Sequence, residues 1–215
     1  MRFSLTASLI SLAVFIALTA APVAPVAAAE PAKANETTSA ALWAALKSGG
    51  HVILIRHAST VPGTGDPPGF VLGDCATQRN LSDAGRAEAK QIGATFRERG
   101  VPIGNVMSSR WCRCLDTARL AFDKVRVQPW ASLDSHFDNP SYGAVQAASV
   151  KTGLAKQEIE GSNLVLVTHQ VNITALTGIY PAQGEAVIAK RAGRELRVLG
   201  RLNPVDAGRS GHNDR

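Results

Sequence analysis

The sequence predicts an α/β fold, a three-layer α/β/α sandwich built on a mostly parallel central sheet. Two runs carry that expectation. "HVILI" from His51 and "NLVLV" from Asn163 are almost continuously apolar, the pattern of strands covered on both faces. Strand patterns also alternate with helical ones along the chain, which is how an open α/β sheet is written. With 215 residues, 45% hydrophobic and 19% charged, the chain can fill one domain with a sizeable core.

Residues 1–29 read as a removable secretory leader. Arg2 is followed by an apolar stretch that Ala, Ser and Thr dilute and Pro22 and Pro25 break, and Ala27-Ala28-Ala29 offers small residues for cleavage. The expected localisation is therefore periplasmic or secreted, with no stable membrane insertion after cleavage. A flexible segment over 30–36 leads into a helix in "TTSAALWAALKSGG", with Leu42 and Leu46 on one face and Gly49-Gly50 as its stop. The strand ending at Arg56-His57 comes next.

A Gly/Pro-rich loop spans Val61–Asn80, and loops of that length in compact domains tend to be functional. Ser82 is placed to cap a helix that presents Ala89, Ile92 and Phe96 and stops at Gly100. "GNVMSS" reads as a strand, "WCRCLDTARLAF" as a helix turning Leu115, Ala118 and Phe122 inward, and "VRVQP" as a short strand. A helix is expected over 141–157, then the strand ending at His169, then a hairpin turning at Gly193. The domain is taken as 30–205, with a disordered tail over 206–215.

The full chain carries 23 Lys+Arg against 17 Asp+Glu, net +6, and the leader removes only Arg2. A basic exported protein favours anionic partners. The charges are scattered, and the one cluster, Lys190 to Arg201, reads as basic strand edges that block edge pairing, so nucleic acid is not expected. Of the three cysteines, Cys112 and Cys114 stand on opposite sides of one helix. They cannot readily bridge each other, and at most one can reach Cys75. No His or Cys pair has metal-ligand spacing, so no metal and no cofactor are expected. The oligomeric state is left open.

Two parallel strands ending in histidines would bring His57 and His169 to one sheet edge, where open α/β folds hold ligands. "SSRWCRC" adds Arg110 and Arg113 near the same edge. Such a cationic crevice suits an anion, and guanidinium forks match phosphate oxygens.

At these residues the chain resembles the histidine phosphatase superfamily, the phosphoglycerate mutase-like fold. "LIRHAST" is similar to its Arg-His-Gly-x-Thr signature, with Arg56, His57 and Thr60 matching and Ala58 in place of Gly. "NLSDAGRAEA", "SSRWCRCLDTA" and "VLVTHQ" resemble later blocks in order, which brings in Arg113 and His169. "DCATQRNLS", "WCRC" and "VTHQVNIT" together resemble an exported branch likened to lipopolysaccharide core heptose-phosphate phosphatases.

The resemblance implies a metal-independent phosphomonoesterase with His57 as nucleophile through a phosphohistidine. Arg56, Arg113 and His169 would hold the phosphoryl oxygens, and Thr60, Gln170 and Asn172 would bind phosphate or substrate; Arg110, which no motif requires, is a further binding candidate only from its place near the crevice. It leaves the general acid open. Ser135 stands where one branch carries Glu, and Gln170 where another carries Asp. Asp134 ranks first as acid, Asp138 second and His136 third. The expected substrate is an anionic phosphorylated sugar or envelope-derived small molecule. The alternative is a non-catalytic anion- or phosphate-binding protein on the same fold. A mutase is disfavoured by export.

Overall fold

The computed structural model describes residues 38–209, with side chains through Asp206. Residues 1–37, with the expected leader, and residues 210–215 lie outside the described residues. Twelve regular elements follow one another: α1 (Ser39–Lys47), β1 (Val52–Arg56), α2 (Asp83–Glu98), β2 (Ile103–Ser108), α3 (Cys112–Ala121), β3 (Val127–Pro129), α4 (Gly143–Leu154), β4 (Asn163–Thr168), α5 (Gln170–Thr177), β5 (Ala186–Ala192), β6 (Glu195–Leu202) and α6 (Pro204–Arg209).

They form one six-stranded sheet in the order β3-β2-β4-β1-β5-β6. β3, β2, β4 and β1 run parallel to their neighbours, and β5 and β6 are antiparallel additions. Alternate residues of each central strand face opposite layers. Ile53, Ile55, Val165 and Val167 pack with Leu42 and Leu46 of α1, Ile92 and Phe96 of α2, and Cys114 and Ala118 of α3. Val52, Leu54, Leu164 and Leu166 pack with Val150 and Leu154 of α4 and Ile173 and Leu176 of α5. Both faces are covered, so β1 and β4 need apolar residues at successive positions, as their sequence implied.

Local signals account for most boundaries. Thr38 caps α1 by accepting from the Ala41 N–H, and Ser82 caps α2 by accepting from the Gly85 N–H. Gly85 is also the point where α2 meets the turn after β1. A Cβ there would lie 1.8 Å from the Ser59 carbonyl oxygen, so only glycine permits this approach. The hairpin between β5 and β6 turns at Gly193, whose φ is +62°.

Three expectations are corrected. Leu115 is only half-buried on α3, where Cys114, Thr117, Ala118 and Ala121 face inward instead. α5 was not foreseen; it begins directly after His169 and ends at Gly178. The chain is helical to Arg209, four residues into the tail expected to be disordered from Asp206. Among the described residues no helix is long and apolar enough to cross a membrane.

Candidate active site

β1 and β4 are adjacent and parallel, with Arg56 in register with Thr168. The next residues, His57 and His169, therefore emerge side by side at the carboxyl edge, their rings 5.6 Å apart and edge to face. β2 lies on the other side of β4, and its end feeds α3, which carries Arg113. The loop after β1 closes the remaining side. A cavity of about 550 Å³ results, lined by Arg56, His57, Thr60, Asp66, Arg79, Arg113, Asp138, His169, Gln170, Tyr180 and Gln183 among others. That size suits a small molecule.

His57 is 3% exposed. Its Nδ1 lies 2.9 Å from the Ala58 carbonyl oxygen. A carbonyl only accepts, so Nδ1 carries the proton and Nε2 keeps its lone pair. Burial, then Arg113, Arg56 and Arg79, push the His57 pKa down to about 3 despite the Ala58 bond. The ring is thus a neutral nitrogen base near pH 7. Burial and the same cationic surroundings hold His169 well below its ordinary range too. Ala58, where the resembled signature has glycine, is fully buried and donates its N–H to Thr117 Oγ1 at 3.0 Å.

Three guanidinium groups surround the histidines, and the Nε atoms of Arg56, Arg79 and Arg113 are all buried without a partner. Their Nη1 atoms are anchored. Arg56 Nη1 donates to the Pro181 carbonyl (2.9 Å), Arg113 Nη1 to Asp66 Oδ1 (2.7 Å) and Arg79 Nη1 to Thr60 Oγ1 (2.8 Å). Three buried N–H groups without partners, on residues that line one cavity, suit an anion with several oxygens.

The geometry sorts the expected residues. Arg56, His57, Thr60, Arg113, Asp138, His169 and Gln170 line the cavity; Asp134, His136, Arg110 and Asn172 do not. Asp134, expected first as the acid, lies outside the cavity lining. Its carboxylate is closed by the Arg110 N–H (2.9 Å) and Arg110 Nε (2.7 Å) and is 9% exposed at the side chain. Arg110 is thereby committed to Asp134 rather than to a ligand. Asn172 donates to the Asp134 carbonyl (2.8 Å), a structural bond that fixes the same turn. His136 packs against Gly143.

Asp134 still reaches the site indirectly. Ser109 Oγ lies 3.3 Å from Asp134 Oδ1 and 2.8 Å from His169 Nε2. Cys114 Sγ is 3.5 Å from the same nitrogen, and burial pushes its thiol up to about 12, which keeps it protonated and inert.

Two charged lining residues were missed, Arg79 and Asp66. "QRN" directly before "LSDAG" held the only signal for Arg79, a cation at the end of the long loop. The backbone N–H of Arg79 donates to Asp66 Oδ1 (2.9 Å), and Trp111 Nε1 donates to Asp66 Oδ2 (3.0 Å). The loop is held to α3 by a disulfide between Cys75 and Cys112 and by the Cys112 N–H donating to Gln78 Oε1 (3.0 Å). Cys114 is free.

Residues 52–152 match the sequence family described as histidine phosphatase superfamily (branch 1). That stretch, a little under half of the chain, is similar to the histidine phosphatase superfamily. The matched stretch holds Arg56, His57 and Arg113, and the sheet supplies His169 from outside it. Among curated proteins, a mitochondrial serine/threonine-protein phosphatase Pgam5 from Drosophila virilis is 32% identical over 79 residues. That alignment covers 37% of this chain and only 24% of the relative.

Solved histidine phosphatase-like structures share the fold at low identity. An alpha-ribazole phosphatase from Shigella flexneri superposes with a TM-score of 0.51 at 17% identity, covering 70% of this chain and 96% of that one. A phosphoserine phosphatase mutant from Entamoeba histolytica, in complex with phosphoserine, gives 0.53 at 15% identity, covering 72% and 97%. YhfR from Bacillus stearothermophilus gives 0.54 at 15%, covering 72% and 98%.

Proposed function

We propose that this protein is an exported phosphomonoesterase of the histidine phosphatase superfamily, periplasmic or secreted, acting through a phosphohistidine on a phosphorylated sugar or envelope-derived small molecule. The observation that carries the reading is His57. Its Nδ1 proton is committed to Ala58, which leaves the Nε2 lone pair for a ligand, and the ring lines a cavity together with three arginines whose buried Nε atoms have no partner.

In the proposed reaction Nε2 of His57 attacks phosphorus, the N–P bond forms and the P–O ester bond breaks. Arg56, Arg113, Arg79 and His169 bind the three remaining oxygens, and the Thr60 hydroxyl is within the same cavity. Their charge is in place before the reaction begins, where stabilisation of the transition state is most effective. Asp138, exposed at the cavity wall, supplies the proton to the leaving alkoxide. Water then attacks phosphorus, the N–P bond breaks and inorganic phosphate leaves.

The cavity mouth supports a ring-bearing leaving group. Phe137, Tyr180 and Val61 line it and are 49%, 66% and 43% exposed, an unusual cost for apolar groups unless a ligand covers them. Gln170, Gln183 and Asp138 stand beside them with donors and acceptors for hydroxyls. The leader-like residues 1–29 and the resemblance of "DCATQRNLS" and "WCRC" to the exported branch favour envelope chemistry.

The test is turnover of a panel of sugar phosphates, inositol phosphates and envelope polysaccharide fragments by the mature protein, with trapping of the intermediate. A base-stable, acid-labile phosphoryl group should form on His57, and His57→Ala should lose nearly all activity. Phosphate binding without any phosphohistidine would establish the anion-binding alternative instead.

A further inference from the structure

Asp66 sits on the long loop after β1, next to Gly65 with φ +69°. Its carboxylate receives three hydrogen bonds: two from the start of α3, Arg113 Nη1 at 2.7 Å and Trp111 Nε1 at 3.0 Å, and one from the Arg79 N–H at 2.9 Å. The Asp66 and Arg113 side chains are each 4% exposed. One end of the Arg113 guanidinium is spent on Asp66, while its Nε is buried and unpartnered.

We infer that Asp66 is a positioning residue for phosphoryl transfer, its carboxylate holding Nη1 of Arg113 so that the Nε side of the guanidinium is presented to the phosphoryl oxygens. This rests on the phosphatase reading above. Arginine is long and samples many rotamers, and a site works best when its charged groups are held in place by a supporting layer of bonds. A buried guanidinium with no counter-charge would also be costly beside Arg56 and Arg79. Asp66 meets both needs from behind.

The same contacts argue against Asp66 as a proton donor. Burial alone would raise its pKa, but the bonds from Arg113, Arg79 and Trp111 outweigh burial and hold it below its ordinary value. A carboxylate fastened by three donors has no proton to give.

The experiment is a double-mutant cycle of Asp66→Asn and Arg113→Lys. kcat/KM is measured on p-nitrophenyl phosphate and on the alkyl phosphate the wild type turns over fastest. Inorganic phosphate binding is measured in parallel by calorimetry. Asp66→Asn should lower kcat/KM about 10- to 100-fold, equally on both substrates, since a small misplacement of a charged group costs that much. In the Arg113→Lys background it should cost almost nothing further, because residues acting as a unit are non-additive. Phosphate should bind about tenfold more weakly.

A loss confined to the alkyl phosphate would make Asp66 the acid, and fully additive losses would mean it does not act through Arg113. Either overturns the inference, as does tighter phosphate binding by Asp66→Asn. If Asp66→Asn does not fold, Trp111→Phe removes one donor and leaves the charge. It should give a several-fold, substrate-independent loss that vanishes in Arg113→Lys, and unchanged kinetics would overturn the inference. If the wild type turns over neither substrate, the phosphatase reading fails, and phosphate binding still decides the role of Asp66.

Discussion

Cys75 and Cys112 are joined by a disulfide with their Cα atoms 5.7 Å apart, and the bond ends one residue before Arg113. It closes a segment of 37 residues that contains Arg79 and runs through all of α2. Constraining a loop of that length in the unfolded chain stabilises by about 4 kcal/mol, before strain. Thiol titration of denatured, unreduced protein should find one free thiol, Cys114. Cys75→Ser and Cys112→Ser should each lower the melting temperature and weaken phosphate binding, because Gln78 and Arg79 lose their anchor to α3. Three titratable thiols in protein recovered from an oxidising compartment would reject the bridge.

The acid is tested by leaving group. Asp138→Asn should cost about 10²-fold on alkyl phosphates and little on p-nitrophenyl phosphate, whose phenolate leaves with hardly any need of a proton. Asp134→Asn should behave differently, lowering stability and both activities alike through Arg110 and Ser109. Equal effects of Asp138→Asn on the two substrates would remove it from the mechanism.

Acid should destabilise the protein earlier than its carboxylates require. His57, at about 3 when folded, has an ordinary value of 6.5. The unfolded chain therefore binds the proton that the folded chain refuses. Stability is fully present above about pH 6.5 and falls as pH drops toward 3, at a limiting slope of about 1.4 kcal/mol per pH unit for this one group. His169, His51 and His136 shift in the same direction, each first through burial. Urea unfolding at pH 7.5, 6.0 and 5.0 should show stability falling across that series. Inorganic phosphate should flatten the fall, since a bound anion favours the imidazolium forms of His57 and His169. Stability that is level from pH 7.5 to 5.0 would mean that the buried histidines take up protons in the folded state as they do in the unfolded chain.

Chelation should leave turnover intact. Among the described residues no group of three or more His, Cys, Asp or Glu is arranged to hold a metal ion, and Arg56, Arg79 and Arg113 already place positive charge around the cavity. Activity measured after dialysis against EDTA should match the untreated protein. Loss on chelation with recovery on adding zinc or magnesium would require another mechanism.

The parts of the site that were legible in the sequence are those attached to regular elements. Arg56, His57 and His169 follow apolar strands whose ends must meet at one edge, and Arg113 rides the next helix. Arg79 and Asp66 were not legible. They lie on a loop without periodicity, and their partners, Arg113 and Trp111, are contacts made only on folding. The direction of Asp134 was equally hidden, since Arg110 turns its carboxylate away from the cavity across a contact 24 residues long in sequence. α5 escaped notice because its residues show no charge pattern and its first turn overlaps the histidine motif.

The strand order separates the site into a hard part and a soft part. β4 and β1 have neighbours on both sides, and their residues are almost wholly buried. Amide protons there should exchange only on global unfolding, whereas those of the 61–65 stretch, ahead of Asp66, should exchange through local opening. His57 and His169 thus hang from the slowest-exchanging backbone in the molecule. The residues that meet the remainder of the ligand, Val61 and Thr64 among them, sit on backbone that can vary without disturbing the reacting nitrogen. A change of substrate can be accommodated in that loop while the chemistry of the two strand ends stays as it is.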